Sequence, residues 1–126
     1  MRDYNAVREK SLAFAVRIVK LSRYIQEKFA EYILSKQLCR SGTSVGANIR
    51  EALMAVSAAD FLAKMHVALK EIYETEYWIE LLYRTNYISD NEFQSIFNDC
   101  NELTKLLTSI TKTTKERITD NKDKNC

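Results

Sequence analysis

The sequence predicts an all-α protein folded as an antiparallel, up-down four-helix bundle, and three observations carry that prediction. The 126 residues contain no proline and only two glycines, Gly42 and Gly46, so the residues that break helices are nearly absent. Four stretches repeat apolar residues at alternating steps of three and four, the seam of helices packed at shallow angles. Between them stand short segments with helix-capping chemistry.

In the first stretch, about residues 4–28, Phe14, Ile18, Leu21 and Ile25 fall within one narrow arc. The second, about 31–56, carries Leu34, Leu38, Val45, Ile49, Ala52 and Val56. Phe61, Met65, Leu69, Ile72, Ile79 and Tyr83 form the third stripe, over about 58–85. Phe93, Ile96, Cys100, Leu103, Leu107 and Ile110 form the fourth, over about 90–118. Ser89-Asp90-Asn91-Glu92 is a capping box for the fourth helix, and Ser57-Ala58-Ala59-Asp60 is a weaker version with a shorter acid. The break between the first two helices, near Lys28 to Glu31, has the faintest signal. Short connections force sequential helices to run antiparallel. Residues 1–118 are expected to form a single domain, and 119–126 a frayed polar tail.

Composition excludes several classes of function. No apolar run approaches the ~20 residues of a membrane span, and Met1-Arg2-Asp3-Tyr4 begins no signal peptide, which predicts a cytoplasmic protein. Cys39, Cys100 and Cys126 make no CxxC pair and are expected to be reduced thiols. His66 is the only histidine; without cysteines placed to help it no zinc site is expected, and Ser44 and Cys39 lack a nearby histidine to act as base. There is no phosphate-binding loop and no nucleophile elbow. No catalytic residue, cofactor or metal is expected. The net charge is only +2, but it is unevenly spread: residues 60–102 hold three Lys/Arg against nine Asp/Glu, whereas residues 1–28 hold seven against three. Such asymmetry can attract nucleic acid weakly or pair opposite faces between subunits.

Helix one carries a second apolar stripe, Leu12, Val16 and Val19, turned about 130–160° from the first. A lone bundle buries one face per helix, so two stripes predict a contact with another subunit. Tyr73, Tyr77 and Trp78, part of an aromatic run that ends at Tyr83 and Tyr87, exceed what one seam can bury and join the expected subunit interface.

Helix two holds both glycines and several hydroxyl residues, all poor helix formers, which makes sense where a neighbouring helix comes close. Gln37, Ser41, Ser44, Asn48 and Glu51 repeat as a polar line beside the apolar stripe. Glu76 falls in the apolar arc of helix three, with Glu71 and Thr75 on its flank. These eight residues are expected to form a hydrogen-bonded network between helices two and three, because a buried charge needs partners. The alternative is a ligand or catalytic pocket built from Asn48, Glu51, Glu71 and Glu76. A di-iron site would need Glu-x-x-His pairs, and His66 follows no glutamate by three residues.

The run Ser35-Lys36-Gln37-Leu38, continued by Arg40-Ser41-Gly42-Thr43-Ser44-Val45-Gly46-Ala47-Asn48-Ile49-Arg50-Glu51-Ala52, resembles the signature of a bacterial family. That family is the four-helix bundle or 23S rRNA-intervening-sequence proteins. Ala68 to Ile79 is similar to the family's third helix, and Lys10 to Leu21 to its first. The likeness spans about residues 5–115. It implies an antiparallel bundle assembled as a ring-like homo-oligomer, a homopentamer with a central channel. Members are encoded within intervening sequences of 23S rRNA genes, and many others have no assigned role. A relative, the accessory variability determinant of diversity-generating retroelements, is a basic pentamer that binds nucleic acid.

Two functions follow as expectations. One is a non-catalytic oligomeric bundle that binds RNA through Lys10, Arg17, Lys20 and Lys28 of helix one with Lys36 and Arg40 of helix two. The other is a scaffold that docks a protein partner, in which those basic residues are a solvated face or form ion pairs between subunits.

Overall fold

The computed structural model describes residues 4–124. Four helices follow in order: α1 (Asn5–Phe29), α2 (Leu34–Leu53), α3 (Ala58–Arg84) and α4 (Asp90–Lys124). Each packs on its sequential neighbour, and α1 closes the ring against α4, while the backbones of the diagonal pairs come no closer than 8 Å between Cα atoms. At a rise of about 1.5 Å per residue, α4 is roughly 52 Å long and α3 roughly 40 Å. With a short turn joining them, α4 outruns the bundle at its far end.

Local chemistry sets each boundary. Past the end of α1, Ala30 takes a left-handed conformation (φ 53°), and its N–H donates to the Gln26 carbonyl. The expected start of the second helix at residue 31 is corrected to Leu34. Glu31 stands outside the helix and caps it, its carboxylate accepting from the N–H groups of Ile33, Leu34 and Ser35 at 2.8–3.0 Å. The same helix ends at Leu53, not at residue 56, where tight turns carry Met54 N–H to the Glu51 carbonyl and Ala55 N–H to that of Ala52. Val56, expected in the apolar stripe, is consequently 95% exposed.

Ser57 Oγ accepts from Asp60 N–H at 3.0 Å and starts α3. That helix finishes in a Schellman turn: Tyr87 N–H donates to the Leu82 carbonyl, Asn86 N–H to that of Tyr83, and Asn86 is left-handed (φ 69°). The capping box of α4 forms in both directions, with Glu92 N–H donating to Ser89 Oγ at 3.2 Å and Ser89 N–H to Glu92 Oε1 at 2.8 Å. The frayed tail expected from residue 119 is helical through Lys124; residues 125 and 126, with the third cysteine, lie outside the described residues.

The core follows the four stripes. Phe14, Ile18, Ile25, Leu38, Ile49, Met65, Ile72, Ile79, Leu82, Leu103 and Leu107 are fully buried. Full burial of each such side chain contributes about 1.5–3 kcal/mol before conformational entropy is charged against it. Gly42 explains how closely α1 and α2 approach, since a Cβ there would lie 2.7 Å from Ile18 Cγ2 and 2.9 Å from Cγ1. The close neighbour expected from the glycines therefore exists, and it is α1.

Candidate interaction surfaces

The six basic residues expected to meet nucleic acid do not gather on one face. Lys10 pairs with Glu102 across the α1/α4 seam. One turn pair further on, Arg17 pairs with Asp99 and donates through Nη2 to Ser95 Oγ at 3.0 Å. Arg40 turns the other way, toward α3, where it binds Glu74 and lies 3.4 Å from Glu71 Oε2. At the end of α1, Lys28 donates to Tyr24 Oη at 2.9 Å. Lys20 and Lys36 are exposed. Two basic residues of the first helix, Lys10 and Arg17, meet acids of the stretch from 60 to 102 within the chain.

The expected network between α2 and α3 resolves into three separate crossings. The Ser41 and Thr75 hydroxyls, both buried, lie 2.9 Å apart. Arg40 bridges to Glu71 and Glu74, and also donates to Gln37 Oε1 at 3.5 Å. Glu51, which is exposed, lies 3.5 Å from Lys64. Asn48 bonds within its own helix, donating to Ser44 O and Oγ at 2.9 and 3.0 Å.

Glu76 belongs to a different seam. It is half-buried and its charge acts on Cys100 of α4. Burial, reinforced by Glu76 and Asp99, pushes the Cys100 thiol up to about 12, so this cysteine is a hydrophobic filler and not a nucleophile. No hydrogen bond or ion pair among the described residues joins Asn48, Glu51, Glu71 and Glu76 to one another. Among the described residues, no group of three or more His, Cys, Asp or Glu is placed to hold a metal ion, and no helix is long and apolar enough to cross a membrane.

Of the residues expected at a subunit interface, Leu12, Val16, Tyr73 and Tyr77 are exposed, whereas Val19 and Trp78 are half-buried and Trp78 packs against the core. Leu12 and Val16 are 47% and 46% exposed, with Val19 half-buried beside them. Their stripe borders a shallow groove between α1 and α2, floored by Ser11, Ala15, Gly46 and Ala47. On α3, Tyr73 and Tyr77 are 52% and 57% exposed. Tyr77 sits edge-on to Trp78, whose Nε1 donates to Glu74 at 3.1 Å. The two patches lie on α1 and α3, helices at opposite corners of the ring. The sequence reading missed further exposed residues, among them Tyr32 with Ile33 before α2 and Met54 with Val56 after it. The signal for the second was present, since the Val56 stripe position lies where the capping residue Ser57 must end the helix.

A family model described as 23S rRNA-intervening sequence protein matches residues 3–109. A solved structure of a protein of unknown function from the S23 ribosomal protein family of Bacteroides thetaiotaomicron is similar, at 57% identity and a TM-score of 0.83. The match covers 84% of this chain and 98% of that one. No curated protein matches. The last turns of α4 extend beyond the segment that the family model covers.

Proposed function

The chain belongs to the 23S rRNA-intervening sequence protein family, and from that premise we propose that it works without catalysis, as a self-associating helical module. Copies dock head to tail, the α1–α2 face of one against the α3 face of the next, and close into a ring. The observation that carries this reading is the pair of unlike apolar patches at opposite corners of one bundle. A symmetric dimer buries the same patch on both partners, whereas two different patches generate a ring or a filament. The homopentamer implied by the resemblance is the closed form of that arrangement. In such a ring the outer wall or channel is the surface that would receive a further protein, as the scaffold reading requires.

The RNA reading stands second. It is favoured by Lys20, Lys36, Arg23 and Arg50, which are exposed and form no ion pair among the described residues. Light scattering on the purified chain tests the first reading, and a mass at the 14.7 kDa of one chain refutes it. Val16→Glu and Tyr77→Glu should each dissociate the ring. Mixed, they should form a one-to-one pair through the remaining intact contact, and failure to pair refutes the head-to-tail geometry. A salt-titrated gel-shift assay with structured rRNA tests the second, which no binding at low salt would end.

A further inference from the structure

At the end of the bundle where α1 and α3 finish, four aromatic side chains, Tyr24, Phe29, Tyr83 and Tyr87, surround an open basin with Asp90 and Glu92 at its rim. Phe29 stands at right angles to two of the others, while Tyr83 is stacked on Phe93 at 16° with centroids 4.2 Å apart. Phe29 meets Tyr24 at 89° with centroids 6.4 Å apart, and Tyr87 at 87° and 5.1 Å. The basin already holds a cation from its own chain. Lys28 Nζ lies 5.3 Å from the Phe29 centroid and 2.9 Å from Tyr24 Oη. Its distance to the Tyr24 centroid is also 5.3 Å, so the ammonium lies toward the hydroxyl edge of that ring, and Phe29 is the true cation–π partner.

The electrostatics at this end favour positive charge. The C-termini of α1 and α3 both point here, each with a partial negative charge on its last carbonyls. The N-termini of α2 and α4, which would oppose them, are neutralised by the Glu31 carboxylate and by the Ser89–Glu92 box. Asp90 accepts from Tyr83 Oη at 2.6 Å and so holds that ring against the basin. Lys28 is the only cation among the described residues that line it. Its side chain is exposed and flexible, with one hydrogen bond and one ring contact to give up.

We propose that this aromatic basin is a binding site for an organic cation, a quaternary ammonium group or the cationic side chain of a partner, with Lys28 as the internal occupant that such a ligand displaces. The site is independent of the α1 and α3 patches, so it stands or falls apart from the ring.

The test is titration of the full chain with choline, followed by amide NMR, against its uncharged analogue in which a carbon replaces the nitrogen. Saturable shifts confined to residues 28–31 and 86–92, seen with choline and not with the analogue, are expected. No shifts, or equal binding of the two, overturns the proposal. Lys28→Gln should tighten choline binding by about threefold, and Phe29→Leu should weaken it by about tenfold. Phe29 is 39% exposed, so its replacement leaves the core intact, which circular dichroism checks. Unchanged or weaker binding in Lys28→Gln removes the displacement step. A lysine-bearing peptide run in parallel assigns the source: tighter binding than choline at the same amides points to a partner's side chain, weaker binding to a small molecule.

Discussion

Replacing Gly42 with alanine sets two effects of known size against each other. Alanine inside a helix is favoured over glycine by about 1 kcal/mol. Against this, the new Cβ would stand 2.7, 2.9 and 3.1 Å from Ile18 Cγ2, Cγ1 and Cβ. Two of those atoms could move by rotation, but the third is bonded directly to the α1 backbone, so relief requires α1 and α2 to separate. Overpacking of this kind costs about 1–3 kcal/mol, and the upper half of that range applies where backbone must shift. The expected net loss is therefore about 1–2 kcal/mol. Gly46 provides the comparison, because its nearest neighbour for a Cβ is Ser11 O at 3.4 Å, an ordinary contact. Gly46→Ala should keep most of the propensity gain and stabilise by up to about 1 kcal/mol. Urea unfolding followed by far-UV circular dichroism, at one protomer concentration, measures both. In an Ile18→Ala background the Gly42→Ala penalty should largely vanish. Equal shifts at the two glycines, or a stabilised Gly42→Ala, would refute the steric argument.

Ser22→Ala should raise stability by about 1 kcal/mol, or roughly 4 °C in Tm, because Ser22 is 3% exposed and no partner among the described residues satisfies its hydroxyl; a lower Tm would show that it has one. Ala30→Gly should also stabilise by about 1 kcal/mol, by relieving a left-handed alanine at φ 53°. Calorimetry that found it neutral would count against strain there. Glu31→Gln keeps one acceptor oxygen but removes the charge and the second, and so weakens the cap of α2 at an expected cost of about 1 kcal/mol at neutral pH. Burial pushes the Glu31 carboxyl up, but the amides of Leu34, Ser35 and Ile33 outweigh it and hold it below its ordinary 4.5. The wild-type advantage should therefore be full above that value and drain away as the pH falls through the lower folded value. An advantage that stays constant with pH would show that the carboxylate's charge is not what matters.

The helices were legible because a repeat of three and four residues is written in side-chain identity alone. Their ends were legible where the cap used common chemistry, as at Ser57 and Ser89. Glu31 was missed because a glutamate that caps from outside the helix looks, in sequence, like the first residue of one. Residues 119–124 were misread as a frayed tail because they are polar and, through residue 123, exposed, so no apolar repeat marks them as the end of α4. The candidate surfaces were readable only in part. A second stripe on helix one shows that something is left over, and Leu12 and Val16 are indeed uncovered. Which charges meet depends on the register between helices, and no residue pattern records that Arg17 will reach Asp99 across 82 positions.

The seam between α1 and α4 is the thinnest of the four, and Lys10–Glu102 and Arg17–Asp99 stand along it at the surface. Exposed ion pairs weaken as ionic strength rises. The other three seams are each joined by a short turn of chain, but this one has no covalent tie. The bundle is therefore built like a book whose open edge is fastened by two charged clasps. Rising ionic strength should loosen that edge first, and amide hydrogens along α1 and α4 should exchange sooner than those of α2 and α3.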